Sequence, residues 1–336
     1  MTRLLVQYFQ RRTRHLLVGP PGYLALALAS VVCQAASMKA DEPDAWQVKR
    51  AEGAGVMELL LDGKPFAQYS FRDAAIPRPY FSNITAPSGV RITRNHPLTP
   101  EDPQDHDKIH PGMWLAFGDI SGADCWRLTA PVEHAKFVVE PVAKGDSLSF
   151  TVENIYRDSD GVQEICREVC RYVFQKTSDG VLVTWDSEFR SDARTFAFGD
   201  QEELGLGVRL NREVAVAAGR GGRILNSNGQ KNEREAWSKQ ADWCDYSGTV
   251  GDEFVGITIM PHPKNFRQAW CHCRDNGFMA MNPFGRNAFT GGEKSVVEVH
   301  QGEVFPLRYG VMVHWSDSSQ EYDPARAYLA YQDAAK

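Results

Sequence analysis

Alternation of apolar and polar residues with a period of two is the feature that most limits how this 336-residue chain can fold. Leu148, Phe150 and Val152 share one face of SLSFTVENIY (147–156), and Val181, Val183 and Trp185 share one face of VLVTWDSEF (181–189). Similar runs occur in EICREVCRYVF, SVVEVHQGEV and LRYGVMVHW, and turn sequences such as SDG at 178–180 separate them at intervals of roughly 8–15 residues. This rhythm predicts an all-β fold, a large antiparallel β-sandwich in which each strand buries one face.

One helix is predicted, near the C-terminus. Pro324 suits the first turn of a helix, and Ala327, Ala330, Tyr331 and Ala334 follow at helical spacing. No internal repeat or low-complexity linker interrupts the chain before it. Residues 45–336 are therefore predicted to form a single β-sandwich domain.

The N-terminal segment has the layout of a secretory signal peptide over residues 1–36. A basic region with four arginines precedes an apolar stretch that ends in small residues at Ala35 and Ala36. A retained signal anchor is the alternative, but Pro20 and Pro21 interrupt the apolar stretch. Beyond residue 40 charged residues break every apolar run, so no span of about 20 apolar residues is present. The pattern predicts a periplasmic or extracellular protein with no membrane contact after cleavage.

The net charge argues against nucleic-acid binding, and the cysteine content leaves disulfides and a metal site open. A formal net charge of −6 leaves no basic surface typical of nucleic-acid binding. Six cysteines follow the leader, which permits disulfides in an exported protein. Cys166 and Cys170 share a strand face about 13 Å apart, too far for a bridge. The Cys271-His272-Cys273 sequence resembles a metal motif, but it lacks a second close pair.

Two segments concentrate side chains that can do chemistry. His106 and His110 lie where a proline-rich, acidic loop enters the strand-like sequence MWLAFGDI, and they suit a general base or a divalent metal ion. His272 and Arg274 share a face if WCHCR is extended, and a guanidinium can bind an oxyanion. The predicted catalytic groups are His106, His110, Glu203, Asp245, His272 and Arg274. The predicted substrate-binding residues are Trp114, Trp243, Tyr246, His262 and Asn282.

Each of these assignments has a structural alternative. Trp243 is equally typical of a buried core residue, and Arg274 of an ion pair. Glu202 and Glu203 precede a strand that contains Gly205 and Gly207. Those glycines indicate either space for a ligand or a tryptophan packed over the strand. No cofactor is certain, although His106 and His110 leave one divalent metal ion as an option.

A series of motifs resembles the bacterial PmoA-type domain family, whose habitual label is methane oxygenase. The resemblance covers roughly residues 45–330 and includes DWCDYSG (242–248), HPKN (262–265) and NPFG (282–285). Where the family often has H-H-R-G-L-W, this chain has Ile109-His110-Pro111-Gly112-Met113-Trp114, so no role is carried over to the missing histidine and arginine. The resemblance implies a sandwich of the galactose-mutarotase-like supersandwich type in proteins of sugar-degrading bacteria.

The sequence predicts a secreted carbohydrate-active protein that binds a sugar or oligosaccharide. An enzyme that cleaves or isomerises a glycoside or a modified sugar by histidine and carboxylate acid–base chemistry is favoured. A non-catalytic carbohydrate-binding protein is the alternative. A methane monooxygenase is rejected, because a subunit of that kind is embedded in the membrane and this chain has no span after residue 40.

Overall fold

The computed structural model describes residues 44–317 and 322–335, which fall within one compact unit. The predicted signal peptide, 1–36, lies outside the described residues. The strands in chain order are β1 (Trp46–Lys49), β2 (Val56–Leu61), β3 (Lys64–Ser70), β4 (Tyr80–Ser82), β5 (Met113–Phe117), β6 (Val132–Lys144), β7 (Ser147–Arg157), β8 (Glu164–Thr177), β9 (Gly180–Arg190), β10 (Phe196–Phe198), β11 (Leu204–Arg209), β12 (Arg223–Asn226), β13 (Cys244–Val250), β14 (Glu253–Pro261), β15 (Trp270–Arg274), β16 (Phe278–Asn282), β17 (Val297–Val299) and β18 (Phe305–Ser316). The helices are α1 (Asn232–Ala236), α2 (Arg286–Thr290) and α3 (Pro324–Ala334), with a 3-10 turn at Val216–Ala218.

Two eight-stranded antiparallel sheets form the sandwich. The first sheet has the order β1-β2-β3-β4-β5-β11-β16-β15, and the second has the order β12-β13-β14-β18-β9-β8-β7-β6. Strands β10 and β17 pair separately. The main apolar core lies between the sheets and draws on nearly every strand of both. The predicted all-β antiparallel sandwich with a C-terminal helix is therefore confirmed.

Helix α3 begins where the sequence predicts. Asp323 is its N-cap and accepts a hydrogen bond from the backbone N–H of Ala325 at 2.9 Å, while Pro324 occupies the first turn. Ala327 and Tyr331 pack with Trp243 and Met312 on the outer face of the second sheet. Among the described residues, no helix has the length and apolar character that crossing a bilayer requires.

The second sheet also contains a closed polar cluster on this outer face. Both carboxylate oxygens of Asp245 are used: Ser247 donates to one at 2.6 Å, and Thr258 and His314 bind the other at 2.9 and 3.0 Å. The His314 ring stacks on Tyr322 at 3.5 Å, and the Tyr322 hydroxyl bonds to Thr258. Ser247, Thr258, His314 and Tyr322 are all buried, so this cluster holds the segment before α3 against the sheet.

One row of residues crosses four strands on the outer face of the first sheet. Trp114, Gly207, Ala280 and His272 lie in register across β5, β11, β16 and β15. A Cβ atom on Gly207 would lie only 2.9 Å from both Trp114 and Trp126. Of the two explanations offered for the glycines of β11, a tryptophan packed over the strand is therefore the one that holds at Gly207.

The cysteines of the described residues are packed in the interior of this fold. All six that follow residue 44 are free and buried. Cys271 and Cys273 point into the core from β15, whereas His272 between them points to the opposite face. The three side chains therefore do not converge on one ion, and the described residues contain no group of three or more ligands suited to a metal.

A carboxyl group lies inside the sandwich on β8. Glu168 is 3% exposed and accepts hydrogen bonds from Asn154 and Ser187. Burial raises its pKa, and these hydrogen bonds offset the rise only in part. The folded protein therefore holds this proton more tightly than the unfolded chain does.

We predict that Glu168→Gln stabilises the protein more as the pH rises. The unfolded glutamate loses its proton near pH 4.3, before the folded one does, so the wild type loses stability above that pH up to the raised pKa of Glu168. Urea unfolding of both proteins at pH 4.5 and pH 8 measures the difference. The exposed Glu140→Gln variant is the control, and a stability gain that does not change with pH would contradict the prediction.

Candidate active site

A cavity of about 480 Å³ opens on the outer face of the first sheet, beside β11, β15 and β16. Its lining combines aromatic and charged side chains. The lining residues are His106, Ile109, His110, Trp126, Arg127, Glu202, Glu203, Arg209, Ala217, Glu233, His272, Arg274, Asp275, Asn276 and Phe278. Its size is that of a small-molecule site.

Strand register places the charged groups at the cavity wall. Arg209 on β11 and Arg274 on β15 both lie opposite Phe278 of β16, one row away from His272. Because side chains alternate along a strand, His272 and Arg274 point to the same side, as the sequence predicts for an extended WCHCR. Glu202 and Glu203 reach the same wall from the turn that precedes β11.

His272 and Glu202 form a pair at the centre of this wall. The Nδ1 atom of His272 lies 3.0 Å from the carbonyl oxygen of Glu202, so Nδ1 carries the hydrogen. The other ring nitrogen, Nε2, lies 3.3 Å from Oε2 of the Glu202 carboxyl group. In the neutral ring Nε2 is an acceptor, so this contact is attractive only when a proton lies between the two atoms.

The environment decides where that proton lies. Burial, together with the positive charge of Arg274, lowers the pKa of His272 to about 3. Burial raises the pKa of Glu202, and Glu203 adds to the rise, while Arg274 opposes it. When the pair carries one proton, that proton is therefore bonded to Glu202, which donates a hydrogen bond to His272. The cavity thus contains a carboxyl group whose proton can be transferred.

Arginines connect the remaining carboxylates of the cavity. Arg274 donates to Glu202 and to Glu233, both at 3.2 Å, and its guanidinium lies 5.2 Å from the centre of the Trp237 ring. Arg127 binds Glu203 at 2.6 Å. The cavity thus presents cations and acids side by side, which suits both proton transfer and stabilisation of a negatively charged oxygen.

His110 lies between aromatic rings at the base of the cavity. It stacks on Trp114 at 4.9 Å and on Phe278 at 4.8 Å, and on the cavity side it stacks on His106 at 4.9 Å. Burial lowers its pKa well below the usual value, and Arg209 contributes to that shift. Its Nδ1 atom is buried and has no hydrogen-bond partner in the described part of the chain.

Three buried arginines surround this base, and among the described residues only one carboxylate pairs with any of them. Arg209 binds both oxygens of Asp105 at 2.9 and 3.0 Å, and Arg94 lies 3.8 Å from the same group. Arg78 donates to the backbone carbonyls of Ile109, Cys125 and Trp126, and among the described residues it forms no ion pair. Burial lowers the pKa of Arg78 to about 9, still high enough for a positive charge at neutral pH.

The structure brings together five of the six predicted catalytic residues. These five, which all line the cavity, are His106, His110, Glu203, His272 and Arg274. Asp245 is the exception, because it is fully buried in the polar cluster of the second sheet. Its placement in a shared site was wrong: a carboxylate between apolar neighbours does need partners, but these are Ser247, Thr258 and His314.

None of the five predicted substrate-binding residues lines the cavity. Trp114 is covered by His110 and packs over Gly207, and Trp243 lies beneath α3. His262 accepts a hydrogen bond from its own turn, at Lys264 N. Tyr246 and Asn282 are buried anchors. The Tyr246 hydroxyl bonds to backbone groups at 216, 275 and 277, and Asn282 donates to the carbonyls at 201 and 202.

The predicted pairing of His106 and His110 on a metal ion is also unsupported by their geometry. Their rings stack at an angle of 24°, and nitrogen lone pairs lie in the ring planes, so the two rings do not aim at one point. Among the described residues no set of three potential ligands is suited to a metal ion. The stacking favours a packing role for His110 and a cavity-rim position for the half-exposed His106.

Several residues of the cavity were not selected from the sequence. Glu202, rather than Glu203, contacts both His272 and Arg274. Arg209 follows Gly207 by two positions on β11, so the alternation could have identified it. Glu233 and Trp126 come from a short helix and an irregular loop, where no periodicity exists to indicate them.

We predict that the His272 ring stays neutral between pH 8 and pH 5. Its pKa of about 3 keeps the hydrogen on Nδ1 and leaves Nε2 unprotonated throughout this range. Nitrogen-15 NMR of histidine-labelled protein reads both ring nitrogens, with His272→Gln for assignment. Protonation of Nε2 above pH 5 would contradict the arrangement of the pair.

Solved structures similar to this chain include a galactose mutarotase-like protein from Lactobacillus casei, with 10% identity, coverage of 81% of this chain and all of that chain, and a TM-score of 0.38. A putative aldose 1-epimerase from Escherichia coli K12 shows 13% identity, coverage of 81% and 97%, and a TM-score of 0.33. A putative kojibiose phosphorylase from the human microbiome shows 7% identity and a TM-score of 0.32, and the match spans only 21% of its length. At these scores no activity is transferred from them.

No curated protein matches the chain. A family match, in contrast, extends over residues 56–327 and corrects the resemblance to the PmoA-type family, since the matching family is a different one. By this match, which covers most of its length, the chain belongs to DUF6807, a family of unknown function.

Proposed function

We propose that this protein is an exported carbohydrate-active enzyme that cleaves or isomerises a glycoside or a modified sugar. The contact of 3.3 Å between His272 Nε2 and Glu202 Oε2 carries this proposal. A carboxyl group with a raised pKa, oriented by a neutral imidazole in a small cavity, is suited to general acid–base catalysis.

Five residues of the cavity have roles in this proposal. Glu202 transfers the proton to a leaving or carbonyl oxygen of the sugar, and His272 orients the carboxyl group and accepts its hydrogen bond in the resting state. Arg274 and Arg127 stabilise an oxygen that becomes negatively charged. Glu203 is the second carboxylate and is held by Arg127 at 2.6 Å.

A sugar ligand fits the lining. Carboxylates, guanidinium groups and the Asn276 amide at the wall can bond to hydroxyl groups, while Phe278 and Trp126 present apolar ring surface. The volume of about 480 Å³ lies within the range of small-molecule sites. The exported location rests on the N-terminal sequence pattern alone.

We predict that Glu202→Gln and His272→Gln each reduce sugar conversion by about 10²-fold or more, because each removes the group that moves or orients the proton. The wild type and variants are incubated with a panel of plain and 3-keto glycosides, and products are followed by mass spectrometry. His262→Gln and Glu188→Gln are matched controls, since both residues lie outside the cavity.

Two outcomes would oppose the proposal. Full conversion by Glu202→Gln would remove the assigned acid. Saturable sugar binding by the wild type without any product across the panel would favour the non-catalytic binding protein.

A further inference from the structure

A second cavity of about 560 Å³ adjoins the candidate active site. The two share Arg209, Ala217 and Asn276 in their walls, so they form one continuous groove. The second cavity is lined by Pro103, Asp105, Arg209, Arg212, Glu213, Ala215, Ala217, Ala218, Arg220 and Asn276.

The two halves differ in charge. In the first cavity, four carboxylates face three arginines, because Glu202, Glu203, Glu233 and Asp275 lie with Arg127, Arg209 and Arg274. In the second, three arginines face only the carboxylates of Asp105 and Glu213. The protein as a whole has a net charge of −6, so this positive half is a local exception.

The cations of the second cavity are only partly neutralised. Arg212 donates to the backbone carbonyl of Glu101, and no carboxylate of the described residues lies within ion-pair distance of it. Arg220 has a loose contact of 3.7 Å with Glu213 and is 65% exposed. A guanidinium has five N–H donors, so both retain capacity for another oxyanion.

Buried arginines beneath the groove also favour the binding of an anion. Arg78, Arg94 and Arg209 are all about 2% exposed, and Asp105 is the only carboxylate of the described residues that pairs with any of them. Their excess positive charge lies behind the wall that Arg209 and Asp105 present to the second cavity. An anion placed between Arg212 and Arg220 therefore meets fixed positive charge on the surface and below it.

We propose that the groove binds an acidic saccharide, with its reacting ring in the first cavity and a carboxylate or sulfate group between Arg212 and Arg220. This inference rests on the proposed carbohydrate function and specifies its substrate class. The alanines of the second cavity, at positions 215, 217 and 218, leave room for a ring beside the anionic group.

Binding, rather than turnover, tests the inference. Glucose, glucuronate, galacturonate and glucose 6-sulfate are titrated into the full protein, and the Nε–Hε signals of Arg212 and Arg220 are followed by NMR. We expect saturable shifts with the acidic sugars and none with glucose. Uronates and the sulfated sugar, titrated separately, show which anion is preferred.

Variants localise the effect. We expect Arg212→Gln with Arg220→Gln to weaken binding of the acidic sugars by about tenfold or more, since charge-assisted hydrogen bonds are lost. Arg171→Gln with Arg190→Gln, which removes the same two charges from exposed residues of β8 and β9, is expected to have no effect. Raising the salt concentration should weaken the wild-type interaction, because these arginines are exposed.

Equal responses to glucose and glucuronate, or unchanged affinity in the double variant, would overturn the inference. Repeating the titrations with Glu202→Gln separates the two proposals. Loss of activity with retained acidic-sugar binding supports both, whereas full activity in that variant opposes only the catalytic assignment.

Discussion

The hydrogen-bond register of β5, β11, β16 and β15 determines whether this protein has a site at all. Register aligns Trp114, Gly207, Ala280 and His272 in one row, and Arg209, Phe278 and Arg274 in the next. A slip of one residue in β15 would turn His272 and Arg274 towards the inter-sheet core and Cys271 and Cys273 towards the cavity. The inter-sheet core prevents such a slip, because the opposite faces of the same strands supply its apolar residues.

Buried polar groups then fix the loops that complete the site. Asn282 uses its amide to hold the turn at 201–202 and its oxygen to hold the turn at 284–285. The Tyr246 hydroxyl joins the 3-10 turn at Val216 to the β15–β16 turn at 275–277. Arg78 joins the loop of His110 to that of Trp126. The side chains of the cavity are thus held in position before any ligand arrives, which is how a site avoids the cost of reorganisation.

The sequence predicted the architecture more completely than the site, for a physical reason. Strand periodicity is local, so β7, β8, β9, β18 and the start of α3 could be identified from neighbouring residues alone. The same periodicity placed His272 and Arg274 on one face. Residues in contact through tertiary structure, such as Glu202 with His272, are 70 positions apart, and no local pattern reports their distance.

The incorrect site predictions have the same cause, because a local sequence pattern does not report tertiary contacts. Trp114, Trp243, Tyr246 and Asn282 have the side chains of a sugar site, but side-chain chemistry does not distinguish a ligand contact from a buried anchor. Asp245 shows this most clearly, since its three bonding partners come from three strands, and one of them, Thr258, bonds in turn to Tyr322 in the segment before α3. Whether a polar side chain faces the groove or the interior depends on the fold of the whole chain.

Arg78 places a buried positive charge beneath the groove in addition to joining two loops. No carboxylate of the described residues pairs with it, so its charge is balanced by carbonyl dipoles, and its side chain is buried away from water and mobile ions. Dissolved electrolyte screens charges at the surface within about 10 Å at 0.1 M, but screens interior charges far less. The electrostatic potential at the floor of the groove is therefore set by the folded protein itself. It persists in brackish or saline surroundings, where salt weakens the attraction between exposed arginines and anions.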